Sequence, residues 1–277
     1  MIIAVFTNIK DERQYLRKWI EYHANLGVNK FILYEDEGSH EHDDIIDDCR
    51  KFVDIDLYKD VLKKDNPEFK DITCFKHVWD NYENIDWLIK LDPDEYINIG
   101  DEYQDLTGYI SEAPEEADQL VLMWKLYNAN KFIHKPSNDE YDLMHTYTEE
   151  IPVSEIDNSV SKNTSKNRYD LSKTFVRYKY FKNRGGRQYF APNFPHIIFD
   201  DTTLEFGNDC NIFINHYITK SFEEFYIRLK DKGEYSKDWS RKLGDFFALN
   251  PDMIKDIPLI EKEYNIDIDS FNTKMNI

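Results

Sequence analysis

The stretch IIAVFTNIKDERQYLRKWIEYHANLGVNKFILY, residues 2–34, carries a strand, a helix and a strand in succession. Ile2 to Phe6 is an unbroken apolar run, as expected of a strand covered on both faces. From Asp11 to Leu26 the period changes. Tyr15, Leu16, Trp19, Ile20, His23 and Leu26 fall on one helical stripe, and Gly27 supplies a C-terminal stop. Val28 to Tyr34 then reads as a second strand. Working outward, Asp43–Lys51 predicts a short helix and Val53–Tyr58 a short strand. Ile72, Phe75, Trp79 and Tyr82 predict a helix over about 67–83. Trp87–Leu91 is a strand broken by Asp92-Pro93-Asp94, and Gln119–Tyr127 is another. Strand–helix alternation at this spacing predicts an α/β fold whose parallel strands are joined by right-handed crossovers. Ligands of such sheets sit beyond the carboxyl ends of the strands. Three such ends stand out: Thr7-Asn8, Glu35-Asp36-Glu37 and Asp92-Pro93-Asp94-Glu95.

The rest of the chain is less periodic. Residues 128–170 are polar, and at that length they predict a long loop or lid. Leu171–Phe181 and Asn211–Tyr217 read as strands. Ser221-Phe222-Glu223-Glu224 is a capping box opening a helix to about Lys232, with Gly233 after it. The remainder reads as helical and packed on the outside. No internal repeat is found.

The chain has 277 residues, enough for one large domain with an extension. Hydrophobic residues at 41% and aromatics at 15% exclude a disordered or collagen-like chain. Lys and Arg number 35 against 54 Asp and Glu, a net charge of −19, which speaks against nucleic acid or an anionic membrane surface as partner. Against that background Lys162–Arg187 holds nine basic residues and one acid, Asp170. Such a segment either receives a phosphate or is a solvated strand. Cys49, Cys74 and Cys210 are widely spaced and odd in number, so they read as reduced thiols. No apolar run approaches the ~20 residues of a membrane helix. Met1 leads straight into Ile2–Phe6 without a basic leader, so the expected location is cytoplasmic.

The chemistry concentrates in Lys90-Leu91-Asp92-Pro93-Asp94-Glu95-Tyr96. An apolar strand delivers two carboxylates, two residues apart, into a turn. Carboxylate oxygens suit hard cations such as Mg²⁺ or Mn²⁺, which also bridge phosphates. Asp-x-Asp is equally common as turn chemistry. An EF-hand is excluded because Ile97 stands where its glycine must be. Neither a Walker loop nor a GxGxxG occurs.

Taken together, several blocks carry a resemblance. Lys10-Asp11-Glu12, Tyr15-Leu16, Trp19-Ile20, Tyr22-His23, Leu26-Gly27-Val28 and Phe31–Tyr34 resemble the N-terminal signature of family-2-like and family-92-like glycosyltransferases of the GT-A fold. Asp11 departs from their usual Asn. Trp87 with Leu91–Tyr96 resembles the metal motif of that family. Lys173–Arg177, His196, Asn215-His216-Tyr217 and Lys220–Phe225 are similar to its C-terminal half. The blocks keep the family's order over residues 1 to about 235.

The resemblance implies a GT-A nucleotide-diphospho-sugar transferase fold with a mostly parallel central sheet. Residues 1–127 would form a nucleotide-sugar-binding half and 128–235 an acceptor or lid half, with 236–277 a helical extension. The implied reaction is metal-dependent transfer of a sugar from a nucleoside-diphosphate sugar, a UDP-sugar first, to a glycan or related acceptor. Asp92, Asp94 and His216 would hold Mn²⁺ or Mg²⁺. Thr7, Asn8, Asp36, Asp92, Arg184, Arg187 and Lys220 would meet the donor. His196 is the candidate for acceptor contact or base. Two rivals remain. A haloacid-dehalogenase-like phosphatase also uses a strand followed by Asp-x-Asp, but Tyr96 stands where that family has Thr or Val. The other is a non-catalytic nucleotide-sugar or glycan-binding module.

Overall fold

The computed structural model describes residues 1–36, 42–59, 61–62, 70–113, 115, 117, 119–137, 141–151, 172–178, 212–232 and 243–268. The chain forms two compact units. One is Met1–Trp124 with Asp139–Asp142 and Arg168–Asn215; the other is Lys125–Asn138 with Leu143–Asn167 and His216–Ile277.

The first unit is built on the alternation seen in the sequence. Strands β1 (Ile3–Ile9), β2 (Lys30–Glu35), β3 (Asp54–Tyr58) and β4 (Trp87–Lys90) are separated by helices α1 (Arg13–Asn25), α2 (Asp43–Cys49) and α3 (Lys70–Asn81). β1 pairs in parallel with both β2 and β4, and β2 with β3. The expected parallel core is therefore present. The order across the eight-stranded sheet is β3-β2-β1-β4-β7-β6-β8-β5, with β5 (Glu95–Asn98), β6 (Gln119–Leu126), β7 (Ser172–Arg177) and β8 (Phe213–His216) completing it. β7 runs antiparallel to both β4 and β6, so the sheet is mixed beyond β4. The stripe predicted for α1 is the buried one: Tyr15, Leu16, Trp19, Ile20 and His23. Gly27 follows that helix at φ 105°, a left-handed conformation that costs a glycine nothing. α3 lays Phe75, Val78 and Trp79 against Phe6, Ile32, Tyr34 and Leu88 of the sheet. Cys49 and Cys74 are buried free thiols, as read; Cys210 lies outside the described residues.

Two elements go beyond what was read from the sequence. β5 follows directly on the turn that ends β4, and α4 (Leu106–Ser111) is capped by Asp105, whose Oδ1 accepts the Gly108 N–H at 2.8 Å. Residues 128–151, read as part of a loop or lid, contain a helical turn, α5 (Leu143–Thr146). Tyr141, Leu143, Tyr147 and Ile151 are buried there, so apolar side chains are present without a regular period.

In the second unit, α6 (Phe222–Lys232) opens as the capping box predicts. Ser221 Oγ accepts the Glu224 N–H, and the Glu224 carboxylate accepts both the N–H and the hydroxyl of Ser221. The helices α7 (Leu243–Leu249) and α8 (Ile257–Tyr264), joined by a 3₁₀ turn at Pro251–Asp256, follow. They are not external: Phe246, Phe247, Met253 and Ile260 share a core with Phe222 and Phe225. Among the described residues no helix is long and apolar enough to cross a membrane.

Candidate active site

Parallel pairing places the carboxyl ends of β2, β1 and β4 side by side. Asn8 lies opposite Tyr34, and Phe6 lies opposite Lys90. Thr7 is fully buried within β1 and donates its hydroxyl to the Asn8 carbonyl at 3.2 Å. The Oδ1 of Asn8 is buried and accepts no hydrogen bond. Asp36, just past β2, donates its N–H to the Ile9 carbonyl at 3.0 Å, and its carboxylate pairs with Lys70 at the start of α3. Thr7, Asn8, Asp36 and the Asp92–Glu95 turn thus share one sheet edge.

That turn is shaped by its residues. Pro93 fixes the backbone of its second position, and the Glu95 N–H closes it onto the Asp92 carbonyl at 2.9 Å. The Glu95 carboxylate reaches back to the Asp92 N–H at 2.9 Å. Trp19 of α1 donates its indole N–H to the Glu95 carbonyl at 2.8 Å. Both carboxylates of Asp94 and Glu95 are buried.

The sequence did not reveal what surrounds Asp92. Lys90 Nζ lies 2.5 Å from its Oδ1, and Lys173 Nζ, from β7, lies 2.9 Å from its Oδ2. Lys90 also faces Asp71 at 3.5 Å. Lys173 lies 3.2 Å from Glu95 and 5.6 Å from the centre of the Trp124 ring. Burial opposes ionisation of Asp92, but Lys173 and Lys90 outweigh it and hold the carboxyl well below its usual range. For Lys90, burial is again overcome by Asp92 and Asp71, and its ammonium is held more firmly than usual. Burial dominates at Glu95 and pushes its carboxyl up to about 8. One hint of this cluster is legible in the sequence. Lys90 interrupts an otherwise apolar strand, and a buried lysine requires a partner.

A divalent cation coordinates carboxylate oxygens. Both oxygens of Asp92 are within hydrogen-bond distance of an ammonium group, so Asp92 as placed does not fit the role of a cation ligand. Among the described residues no group of three or more His, Cys, Asp and Glu side chains could hold a metal ion. Asp94 belongs to the first unit. His216 and Lys220 belong to the second. His216 is buried at the end of β8, its carbonyl accepting the Tyr127 N–H at 3.0 Å. Lys220 is buried too, with φ 54°. At the N-terminus of α6 the Ser221 N–H and hydroxyl are both taken by the Glu224 carboxylate. Arg184, Arg187 and His196 lie outside the described residues.

No protein-family model matches the chain, and no curated protein matches it. Solved structures do. Residues 1–349 of S. aureus TarS in complex with UDP match at 13% identity and a TM-score of 0.42, covering 71% of this chain and 52% of that one. The S. aureus TarS structure matches at 12% identity and a TM-score of 0.45, over 87% of this chain and 41% of that one. Glucosyl-3-phosphoglycerate synthase from Mycobacterium tuberculosis, in complex with Mn²⁺, UDP and glucosyl-3-phosphoglycerate, matches at 7% identity and 0.34, over 64% and 57%. The chain thus spans about half the length of these neighbours. At such scores the reading of the site rests on its own geometry.

Proposed function

We propose that this chain is a glycosyltransferase of the GT-A type, using a nucleoside-diphosphate sugar, UDP-sugars first, and a saccharide or related acceptor. The observation that carries the reading is the shared edge of β2, β1 and β4, where Asp36, Asn8 and the Asp92 turn stand together. Asp36 and Asn8 offer acceptors for the hydroxyl and imide groups of a nucleoside. The lysines beside Asp92 offer positive charge for a diphosphate. The block-by-block resemblance of the sequence points the same way.

In the proposed reaction an acceptor hydroxyl oxygen attacks the anomeric carbon. The bond from that carbon to the diphosphate oxygen breaks, and its electron pair leaves with the diphosphate. The hydroxyl proton passes to a base. His196 remains the proposed one. The test is thermal unfolding with a panel of UDP-, GDP-, CMP- and dTDP-sugars, followed by an assay for the released nucleotide. A ligand at a hundredfold excess over its dissociation constant stabilises the fold by about 2.7 kcal/mol. UDP-sugars should raise the melting temperature and yield UDP with a glycan acceptor. A panel that neither stabilises the protein nor turns over would refute the assignment.

A further inference from the structure

On the donor-site reading above, we infer that the donor diphosphate is held by the Lys90–Lys173 pair, with Asp92 as the resting counter-ion of those lysines, and that its binding needs no divalent cation. The argument begins with charge. Two ammonium groups meet on one carboxylate, at 2.5 and 2.9 Å. A dication sharing that carboxylate would sit within a few ångströms of both, and such repulsion is strong where water is scarce. Asp71, 3.5 Å from Lys90, supplies a second carboxylate, so the two ammonium groups and their carboxylates balance without a metal.

Accessibility gives the direction of approach. The side chains of Lys90 and Lys173 are only 9% and 7% exposed, whereas that of Asp92 is 34% exposed. The cluster therefore opens to solvent at Asp92. A phosphate oxygen arriving there meets the lysines by replacing carboxylate contacts they already make. Lys173 can exchange partners without being stranded, because a Glu95 oxygen at 3.2 Å remains as a hydrogen-bond acceptor and the Trp124 ring lies 5.6 Å away. Asp92 keeps Lys90 and turns its freed oxygen to water. Two members of the basic run Lys162–Arg187, Lys173 and Arg177, lie in the described strand β7. β7 carries part of that run into the sheet, placing Lys173 in the cluster and Arg177 opposite Trp87.

Calorimetric titration of the full chain with UDP, once in EDTA and once in Mn²⁺, tests the inference. UDP is expected to bind in EDTA within a few-fold of its affinity in Mn²⁺. Lys173→Met should weaken binding in EDTA by about tenfold or more, the usual consequence of losing a charged hydrogen bond. Lys173→Arg, which keeps the charge, should restore most of it. Circular dichroism reports whether each variant is folded, and the comparison in wild-type protein needs no variant at all. UDP binding that vanishes in EDTA overturns the inference and leaves the donor-site reading standing. So does a folded Lys173→Met chain that binds UDP in EDTA as the wild type does. Absence of UDP binding under both conditions overturns the inference together with the UDP reading of the donor site.

Discussion

His23 is fully buried in α1, and both of its ring nitrogens are used. Nδ1 donates to the Trp19 carbonyl at 2.9 Å, and Nε2 accepts the Ile97 N–H at 3.3 Å. Only the neutral ring makes both bonds. Burial therefore lowers its pKa from 6.5 to about 4. The sign follows from proton counts. Between about pH 6.5 and 4 the unfolded chain binds a proton that the folded chain refuses, so stability is full above this window and lost as pH falls through it. His23→Gln should make the drop in melting temperature between pH 6.5 and 4.5 shallower than in wild type, at the cost of a lower value at pH 7. Equal slopes in the two proteins would remove His23 from the acid sensitivity. The sequence placed His23 on the buried stripe of its helix but could not reveal its partner on β5, 74 residues away. Asp92 makes the same point. Its place after an apolar strand is local and legible. Its bond to Lys173 spans 81 residues and depends on which strand lies beside β4.

Elements were legible where a sustained period, or a cap leading into one, is written locally. The Ser221–Glu224 box predicted the start of α6 to the residue. Replacing Ser221 with Ala removes the acceptor for the Glu224 N–H and should cost about 1 kcal/mol in denaturant unfolding. Ser221→Asp should recover much of this, because an aspartate also caps. A loss below about 0.3 kcal/mol would show that the Tyr147 hydroxyl, 2.8 Å from the same Glu224 carboxylate, suffices to hold that side chain. Elements were missed where the signal is short. β5 has four residues, too few to show alternation, and α4 has six, with Gly108 among them. The described residues of 128–151 are mostly irregular, as a loop implies, and their burial was missed for another reason. They are held by hydrogen bonds such as those that the Thr148 and Glu149 N–H groups donate to Asn130 Oδ1, both at 3.0 Å, rather than by a repeating face.

At the scale of the whole chain, the parallel core was read from alternation, but the composition of the second unit was not. Its segments come from three separate stretches, and no local pattern announces that they share a core. The C-terminal segment 243–268, expected to lie outside, provides six of the ten buried residues of that core. A chain ending at residue 235 loses Leu243, Phe246, Phe247, Met253, Ile260 and Ile268, all buried. At about 1.5–3 kcal/mol per buried side chain, the loss is comparable to the whole net stability of an ordinary domain, about 5–15 kcal/mol. The truncated protein should be insoluble or quickly cleaved by protease around Phe222 and Phe225. A soluble 1–235 chain with protected amides in α6 would show that these helices are dispensable.

The position of β7 also bears on how the polypeptide is made. It lies between β4 and β6, yet it emerges from the ribosome after both. The half-sheet β3-β2-β1-β4 can assemble once residue 90 is out, and its growth then stalls until residues 172–177 appear. At 5–20 residues per second the wait is roughly 4–17 s. During it the free flank of β4 presents unpaired amides and the bare face of Trp87, which Arg177 later covers at 4.9 Å. β6, already synthesised, is a tempting wrong partner for that flank. The nascent chain is therefore most exposed to mispairing after its first half has folded, and translation that lingers between residues 126 and 172 prolongs that window.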